Sequence, residues 1–189
     1  MTAPSHPAAP ALNFVLIGFM GSGKSSIGRI LATKLGFHLV DTDAMVVEAA
    51  GMQITDLFAW KGEDVFRDYE SYALQCLADR PVRGTVISTG GGIVIRPQNV
   101  ALLHRLGFVV LLTAREEVLF ERVSRNKTRP LLHTPNPRET LSQLLTGRAP
   151  LYEAAADFTV DTSVHSHTQA ADAILAEACR RFPSWNPGL

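Results

Sequence analysis

The stretch that decides the fold is Gly18-Phe19-Met20-Gly21-Ser22-Gly23-Lys24-Ser25. It matches G-x-x-x-x-G-K-[S/T], the pattern of a phosphate-binding loop whose glycine-rich backbone turns its N–H groups toward phosphate. The apolar run at residues 14–17 predicts a buried strand before it, and apolar residues at helical spacing predict a helix after it. A chance glycine-rich turn is the alternative, but it would not require strand, loop and helix in this order.

The loop predicts a role for each of its polar groups. Lys24 would reach the outer phosphates of a nucleotide, and the Ser25 hydroxyl would ligate Mg²⁺. The helix that begins there adds the positive end of its dipole at the same point. The sequence therefore predicts that ATP is bound by six consecutive residues, Gly21, Ser22, Gly23, Lys24, Ser25 and Ser26.

Length, composition and charge limit the class of protein. A chain of 189 residues with 46% hydrophobic residues predicts one domain with a full core, and zero net charge gives no support for nucleic-acid or membrane binding. Cys76 and Cys179 lie far apart and are expected to be free thiols in a reducing cytosol. No apolar run reaches the roughly 18 residues of a membrane-spanning helix. We expect a cytoplasmic monomer.

Strand and helix patterns alternate along the chain. Short apolar runs predict five strands, which lie at residues 14–17, 37–40, 85–88, 108–112 and 158–160. Near-continuous apolar strands separated by helices predict a parallel sheet covered by helices on both faces, a three-layer α/β/α fold. Among the helices, we expect one at 54–60 that breaks at Gly62, and one at 138–156 that is interrupted near Pro150.

The carboxyl ends of three predicted strands carry polar or glycine-rich segments. Ligands bind at these ends in parallel sheets, so the phosphate loop, Asp41 with Asp43, and Gly90-Gly91-Gly92 should share one cleft. If the two aspartates alternate along an extended segment, one faces Mg²⁺ and the phosphates while the other orients and deprotonates an attacking hydroxyl. The alternative is that both aspartates are helix caps. The glycines indicate close approach of a ligand, a sharp turn, or both.

Two further groups of charged residues stand out. Arg67 precedes Glu70 by one helical turn, which suits a clamp for a carboxylate or phosphate but also an ordinary surface pair. The loop at about 122–137 is basic and proline-rich, which is typical of a mobile lid or of a solvated charge run.

The chain resembles the shikimate kinases over roughly residues 12–181. The resemblance rests on the phosphate loop and on five further segments in the family's order and spacing, which are Asp41-Thr42-Asp43, Phe66-Arg67-Asp68-Tyr69-Glu70, Gly90-Gly91-Gly92, Arg129-Pro130-Leu131-Leu132 and Arg148-Ala149-Pro150-Leu151-Tyr152. It implies the nucleoside monophosphate kinase fold with sheet order 2-3-1-4-5. It also implies ATP-dependent phosphorylation of the 3-hydroxyl of shikimate with Mg²⁺, in the route to chorismate and the aromatic amino acids.

The resemblance also implies roles for individual residues. Asp43, Lys24 and Arg129 would be catalytic, with Arg129 closing from the lid onto the phosphates. Arg122 would stack on adenine, and Ser25 would hold Mg²⁺ with Asp41 acting directly or through another ligand. The substrate would be bound by Asp43, by the carboxylate-binding Arg67 and Arg148, and by the backbone of Gly90, Gly91 and Gly92.

These features predict a domain organisation. Residues 12–182 would form a single kinase domain, with substrate-binding region 43–72 and lid 122–137. The Ala- and Pro-rich residues 1–11 would be a disordered extension, and residues 183–189 a loose tail. Two other functions are compatible with the fold: another small-molecule kinase, such as a gluconate kinase, and a sensor domain that keeps the pocket without turnover. The paired Arg67 and Arg148 argue against the first, and the intact catalytic residues argue against the second.

Overall fold

A five-stranded parallel sheet forms the centre of the fold. The computed structural model describes residues 12–80, 83–125 and 134–187. The strands are β1 (Phe14–Ile17), β2 (His38–Asp41), β3 (Thr85–Ser88), β4 (Phe108–Thr113) and β5 (Phe158–Asp161). The helices are α1 (Lys24–Leu35), α2 (Thr42–Ala50), α3 (Ile54–Ala78), α4 (Pro97–Leu106), α5 (Glu116–Ser124), α6 (Pro137–Ala155) and α7 (His167–Arg181). The strand order is β2-β3-β1-β4-β5, which confirms the predicted sheet.

The central strand β1 explains why the apolar runs are continuous. All four of its residues are buried, and it pairs in parallel with both β3 and β4. Val15 and Ile17 face one apolar core, while Phe14 and Leu16 face a second core on the other side of the sheet. Helices cover both faces, so neither side of the strand can carry polar residues.

Hydrogen bonds join the carboxyl ends of the first three strands. The backbone N–H of Thr89, after β3, donates to the Leu16 carbonyl of β1 at 3.1 Å. The Gly90 N–H donates to Thr42 Oγ1, at the start of α2, also at 3.1 Å. These bonds hold the three predicted functional segments at one edge of the sheet.

The break predicted at Gly62 and the interruption predicted near Pro150 have different outcomes. Gly62 has non-helical backbone angles (φ 83°, ψ 174°) and divides α3 (Ile54–Ala78) into two helical parts, which confirms the predicted break. Helix α6 continues through Pro150, so the predicted interruption is wrong. Pro150 removes one N–H from the helical ladder, but the bonds on either side and the packing of Leu141, Tyr152 and Ala155 in the core hold the helix together.

Residues 182–187, after α7, pack against the core, whereas their composition suggested a loose tail. Trp185 is 6% exposed and packs its ring against Phe14 at a centroid distance of 5.6 Å. Its backbone N–H donates to the Phe182 carbonyl at 2.8 Å. Phe182 packs against Phe108 at a centroid distance of 5.6 Å. Two aromatic residues thus anchor this segment, through contacts that a Pro/Gly-rich composition does not reveal. The predicted extension 1–11 and the central part of the predicted lid lie outside the described residues.

No helix among the described residues is long and apolar enough to cross a membrane.

The anchoring of the C-terminal segment can be measured by substitution. We expect Trp185→Ala to lower the free energy of unfolding by about 3 kcal/mol, because it removes a buried indole from an aromatic cluster. Trp60→Ala is the matched control, since Trp60 is 77% exposed. Chemical denaturation of both variants measures the difference, and equal small losses would show that the segment does not contribute to the core.

Candidate active site

The phosphate loop connects β1 to α1 and borders a pocket of about 500 Å³. Lys24 is the first residue of α1, and its ammonium donates to the carbonyl oxygens of Gly18 at 2.8 Å and Phe19 at 2.9 Å. These bonds hold the lysine folded back over its own loop. The pocket is lined by Gly21, Gly23, Lys24, Ser25, Ser26, Asp41, Arg122 and six other residues of the site, together with His167.

Asp41 joins the loop to the second strand. Its Oδ1 accepts from the Asp43 N–H at 3.0 Å, which makes Asp41 the N-cap of α2. Its Oδ2 accepts from the Ser25 hydroxyl at 3.3 Å. The capping alternative is therefore confirmed for Asp41 and wrong for Asp43. The extended alternation of the two aspartates is also wrong, because α2 begins at Thr42 and Asp43 lies in its first turn.

A second pocket of about 480 Å³ lies beside the first. Residues of α2, both parts of α3, the Gly91-Gly92 turn and α6 form its wall. Arg67 is 5% exposed and forms ion pairs with Glu70 at 2.5 Å and with Glu63 at 2.6 Å. The surface-pair alternative for Arg67 and Glu70 is therefore excluded, because both side chains are buried.

Burial and charge act together on this ion pair. Burial raises the pKa of the Glu70 carboxyl, the Arg67 guanidinium opposes the rise, and the Asp43 carboxylate adds to it. Burial alone would lower the pKa of Arg67, but the Glu70 charge and the hydrogen bonds to Glu70 and Glu63 raise it. Arg67 thus stays charged within an apolar wall, held in place by two carboxylates.

The triple glycine is required by the charged side chains beside it. A Cβ atom at Gly90 would lie 2.5 Å from Glu70 Oε1 and 2.6 Å from Asp43 Oδ1. A Cβ atom at Gly92 would lie 1.9 Å from Arg67 Nη1. Such distances are shorter than any van der Waals contact, so these two positions accept only glycine while the three side chains keep their places.

Helix α6 supplies two hydrogen-bond donors to the same turn. Arg148 donates from Nη1 to the Gly91 carbonyl at 3.2 Å, and its guanidinium lies 5.9 Å from the centroid of the Phe19 ring. The Tyr152 hydroxyl donates to the same carbonyl. Both side chains are almost fully buried. Arg148 therefore has firm partners on both sides and is not a surface residue.

The two pockets meet. Met20, Asp43 and Gly91 line both of them, so a group bound in one pocket faces a group bound in the other across Asp43. Arg67, Gly92 and Arg148 line only the second pocket, while Lys24, Ser25 and Asp41 line only the first. Ser22 and Gly90 line neither pocket.

Arg122 reaches the phosphate loop from α5. Its Nη1 donates to the Gly21 carbonyl at 3.2 Å and to Thr162 Oγ1 at 3.0 Å, and its Nη2 donates to the Thr162 carbonyl at 2.9 Å. His167 was missed by the sequence reasoning, which assigned the histidine no role. It lies against Gly23, and only the packing of α7 on α1 brings it there. Arg129 lies outside the described residues.

Comparison with known proteins identifies the family. A family model described as shikimate kinase matches residues 20–179. The chain belongs to the shikimate kinase family. The shikimate kinase of Thermodesulfovibrio yellowstonii is 44% identical over 165 residues, which are 87% of this chain and 94% of that protein. The shikimate kinase of Geobacter sulfurreducens is 46% identical over 151 residues, 80% of this chain and 82% of that protein.

The fold agrees with the family. The solved structure of the shikimate kinase from Acinetobacter baumannii in complex with shikimate has a TM-score of 0.86 to this chain at 35% identity. The match covers 92% of this chain and 96% of that one. The activity of the chain is therefore that of the shikimate kinases, the ATP-dependent phosphorylation of the 3-hydroxyl of shikimate in the route to chorismate.

The requirement for glycine at position 92 can be tested by substitution. We expect Gly92→Ala to weaken shikimate binding about tenfold or more, because the new Cβ displaces the Arg67 guanidinium and a charge-assisted hydrogen bond is lost. Gly147→Ala is the matched control, since Gly147 is an exposed residue of α6 and no atom lies within 4 Å of the position that its Cβ would take. Titration calorimetry with shikimate measures both variants. Wild-type affinity in Gly92→Ala would contradict the described packing.

Proposed function

We propose that phosphoryl transfer takes place where the two pockets meet, with ATP in the first pocket and shikimate in the second. The observation that carries this proposal is that Met20, Asp43 and Gly91 line both pockets. A kinase must bring a nucleotide phosphate and a hydroxyl into line with no wall between them. Shared lining residues provide such an arrangement.

The second pocket suits an acid with a carboxylate at one end and hydroxyls at the other. Arg67 and Arg148 supply two guanidinium groups, whose planar forks match a carboxylate. Asp43 supplies a carboxylate where the pocket joins the first one. In this orientation the backbone of Gly91 and Gly92 approaches the ring of shikimate without a side chain in the way, while direct binding by Gly90 stays a prediction.

Asp43 is proposed to bind the attacking 3-hydroxyl. A carboxylate that accepts the hydroxyl proton orients the oxygen and receives the proton as the bond to phosphorus forms. The Asp43 charge lies close to Glu70, which is buried and paired with Arg67. We propose that Asp43 acts as the base, because Glu70 already binds Arg67 and does not line the nucleotide pocket.

ATP is proposed to bind along the phosphate loop. The backbone of Gly21, Ser22 and Gly23, with Ser25 and Ser26, would surround the phosphates. Lys24 would exchange its bonds to two loop carbonyls for bonds to phosphate oxygens. Arg122 would lie beside the nucleoside, and Arg129 would close from the predicted lid, a role that stays a prediction because Arg129 lies outside the described residues.

The oxygen donors beside the loop fit Mg²⁺. Ser25 Oγ and Asp41 Oδ2 lie 3.3 Å apart, and oxygen ligands are the ones this ion prefers. We found no cluster of three or more His, Cys, Asp or Glu side chains suited to a metal in the described ranges, which agrees with an ion held largely by phosphates and water. When bound, Mg²⁺ would neutralise charge on the transferring phosphate.

A single chain lines both pockets, which supports a monomer as the active unit. A cytoplasmic location stays a prediction.

A substrate comparison tests the proposal. The protein is assayed with ATP and Mg²⁺ against shikimate, gluconate and a nucleoside monophosphate, with ADP release followed by a coupled reaction. We expect turnover with shikimate alone, and ³¹P and ¹H NMR should place the phosphate on the 3-hydroxyl. Turnover of gluconate or of the nucleotide in preference to shikimate would reject the proposed pocket assignment.

Substitution of the two arginines tests the proposed carboxylate site. We expect Arg67→Lys and Arg148→Lys each to weaken shikimate binding by about 1.5–3 kcal/mol, because an ammonium cannot form the paired bonds of a guanidinium. This is roughly ten- to a hundredfold in affinity, with much less effect on ATP binding.

The control is a shikimate analogue whose carboxylate is replaced by a neutral alcohol. It should bind the wild type poorly and lose little more in either variant, because the partner of the arginines is already absent. Equal weakening for shikimate, the analogue and ATP would show that the arginines hold the fold and do not bind the carboxylate.

A further inference from the structure

Tyr152 makes an interaction with the wall of the substrate pocket for which the proposed chemistry has no use. It lies on α6 one turn after Arg148, so both side chains are on the same face of the helix. Both donate to the Gly91 carbonyl, Arg148 from Nη1 and Tyr152 from its hydroxyl. Tyr152 is 3% exposed, so water does not replace this bond.

Holding the Gly91 carbonyl fixes the direction of another group. The Gly91 carbonyl and the Gly92 N–H belong to one planar trans peptide unit and point in opposite directions. Glycine has no side chain to restrict its backbone, so this peptide would otherwise rotate easily. Two donors on the carbonyl side therefore fix the direction in which the Gly92 N–H points.

The Gly92 N–H is available to a ligand. Within the described part of the chain it has no hydrogen-bond partner, whereas the next amide, that of Ile93, donates to the Gly90 carbonyl at 3.3 Å. Gly92 lines the second pocket and lies directly against the Arg67 guanidinium. An N–H beside that guanidinium is suited to donate to the substrate carboxylate that Arg67 is proposed to bind.

The turn cannot relax in the other direction. A Cβ at Gly91 would lie 3.3 Å from the Met20 N–H nitrogen and 3.7 Å from the Gly18 carbonyl oxygen, so the turn already touches the phosphate loop. It is confined between that loop and α6. The Tyr152 hydroxyl is the neutral one of the two donors on the α6 side.

We propose that Tyr152 is a positioning residue for the substrate carboxylate: its hydroxyl holds the Gly91–Gly92 peptide so that the Gly92 N–H donates to the carboxylate beside Arg67 and Arg148. The proposal rests on the proposed function, because it assumes that the second pocket binds shikimate. Arg148 alone is not sufficient for this task, since its guanidinium must also bind the carboxylate and so cannot serve only as a brace for the turn.

The hydroxyl is suited to a permanent brace. Burial raises the pKa of Tyr152 to about 12, although the nearby Arg148 opposes the rise. The group therefore keeps its proton and remains a donor at every pH at which the enzyme is assayed. A neutral donor also leaves the positive charge of the pocket for the substrate.

The test compares Tyr152→Phe with Tyr72→Phe, which removes the same hydroxyl from an exposed tyrosine on α3. For Tyr152→Phe we expect KM for shikimate to rise about three- to tenfold, the factor for one net hydrogen bond. KM for ATP and the melting temperature should change little. The neutral alcohol analogue of shikimate should bind Tyr152→Phe as it binds the wild type. Tyr72→Phe should match the wild type throughout.

Two outcomes overturn the proposal. Unchanged KM for shikimate in Tyr152→Phe would show that the hydroxyl does not position the turn. Equal losses for shikimate, ATP and the neutral analogue, with a lower melting temperature, would show that it only supports the fold. If the variant does not fold, the wild type provides the measurement: the Gly92 amide proton should shift downfield in NMR with shikimate but not with the analogue, and no shift would reject the proposal.

These results are separable from failure of the proposed function. If the second pocket does not bind shikimate, the wild type itself shows no saturation with shikimate and no phosphorylation of its 3-hydroxyl. If only the role of Tyr152 is wrong, wild-type activity is normal and the variant keeps it.

Discussion

The site depends on the absence of side chains at Gly90 and Gly92. Asp43, Glu70 and Arg67 lie where Cβ atoms at these positions would be, at distances of 2.6, 2.5 and 1.9 Å. Three charged groups from two helices can therefore approach the end of β3 closely enough to form one pocket. Any side chain there would move a carboxylate or the guanidinium, and would separate the buried Arg67 from Glu70. Leaving one member of a buried ion pair without its partner costs about 3–5 kcal/mol.

The sheet order gives this close packing its function. Because β3 lies between β2 and β1, the turn after β3 reaches α2 on one side and the phosphate loop on the other. Gly91 consequently lines both pockets, and Asp43 enters from α2 at the same point. Nucleotide and acceptor are thus brought together by strand order, without a separate domain to carry either one. Helix α6 completes the acceptor side with Arg148 and Tyr152.

Local patterns in the sequence predicted much of this arrangement. The phosphate loop was recognisable because strand, glycines and Lys24 follow one another directly, and the sheet order was implied by the family resemblance. Arg67 with Glu70 was visible as a helical pair, but burial decides whether such a pair is a clamp or a surface contact, and spacing does not give burial. Asp43 was assigned correctly to the cleft for a wrong geometric reason, since it belongs to a helix and not to an extended segment.

Contacts between distant segments were not predictable in the same way. His167 reaches the phosphate pocket because α7 packs on α1, and Trp185 is buried because it meets Phe14 from the first strand. Tyr152 could have been noticed from its four-residue spacing to Arg148, yet its acceptor, the Gly91 carbonyl, is 61 residues away. Pro150 predicts a helix break because proline lacks the N–H of the helical ladder, but core packing keeps α6 continuous.

The most direct test of the account is a crystal structure of this chain with shikimate, ADP and Mg²⁺. The account predicts the shikimate carboxylate against Arg67, Arg148 and the Gly92 N–H, with the 3-hydroxyl on Asp43 and directed at the terminal phosphate of ADP past Gly91. A carboxylate bound at Asp43's end of the pocket, or shikimate bound outside the pocket lined by Arg67 and Arg148, would contradict it.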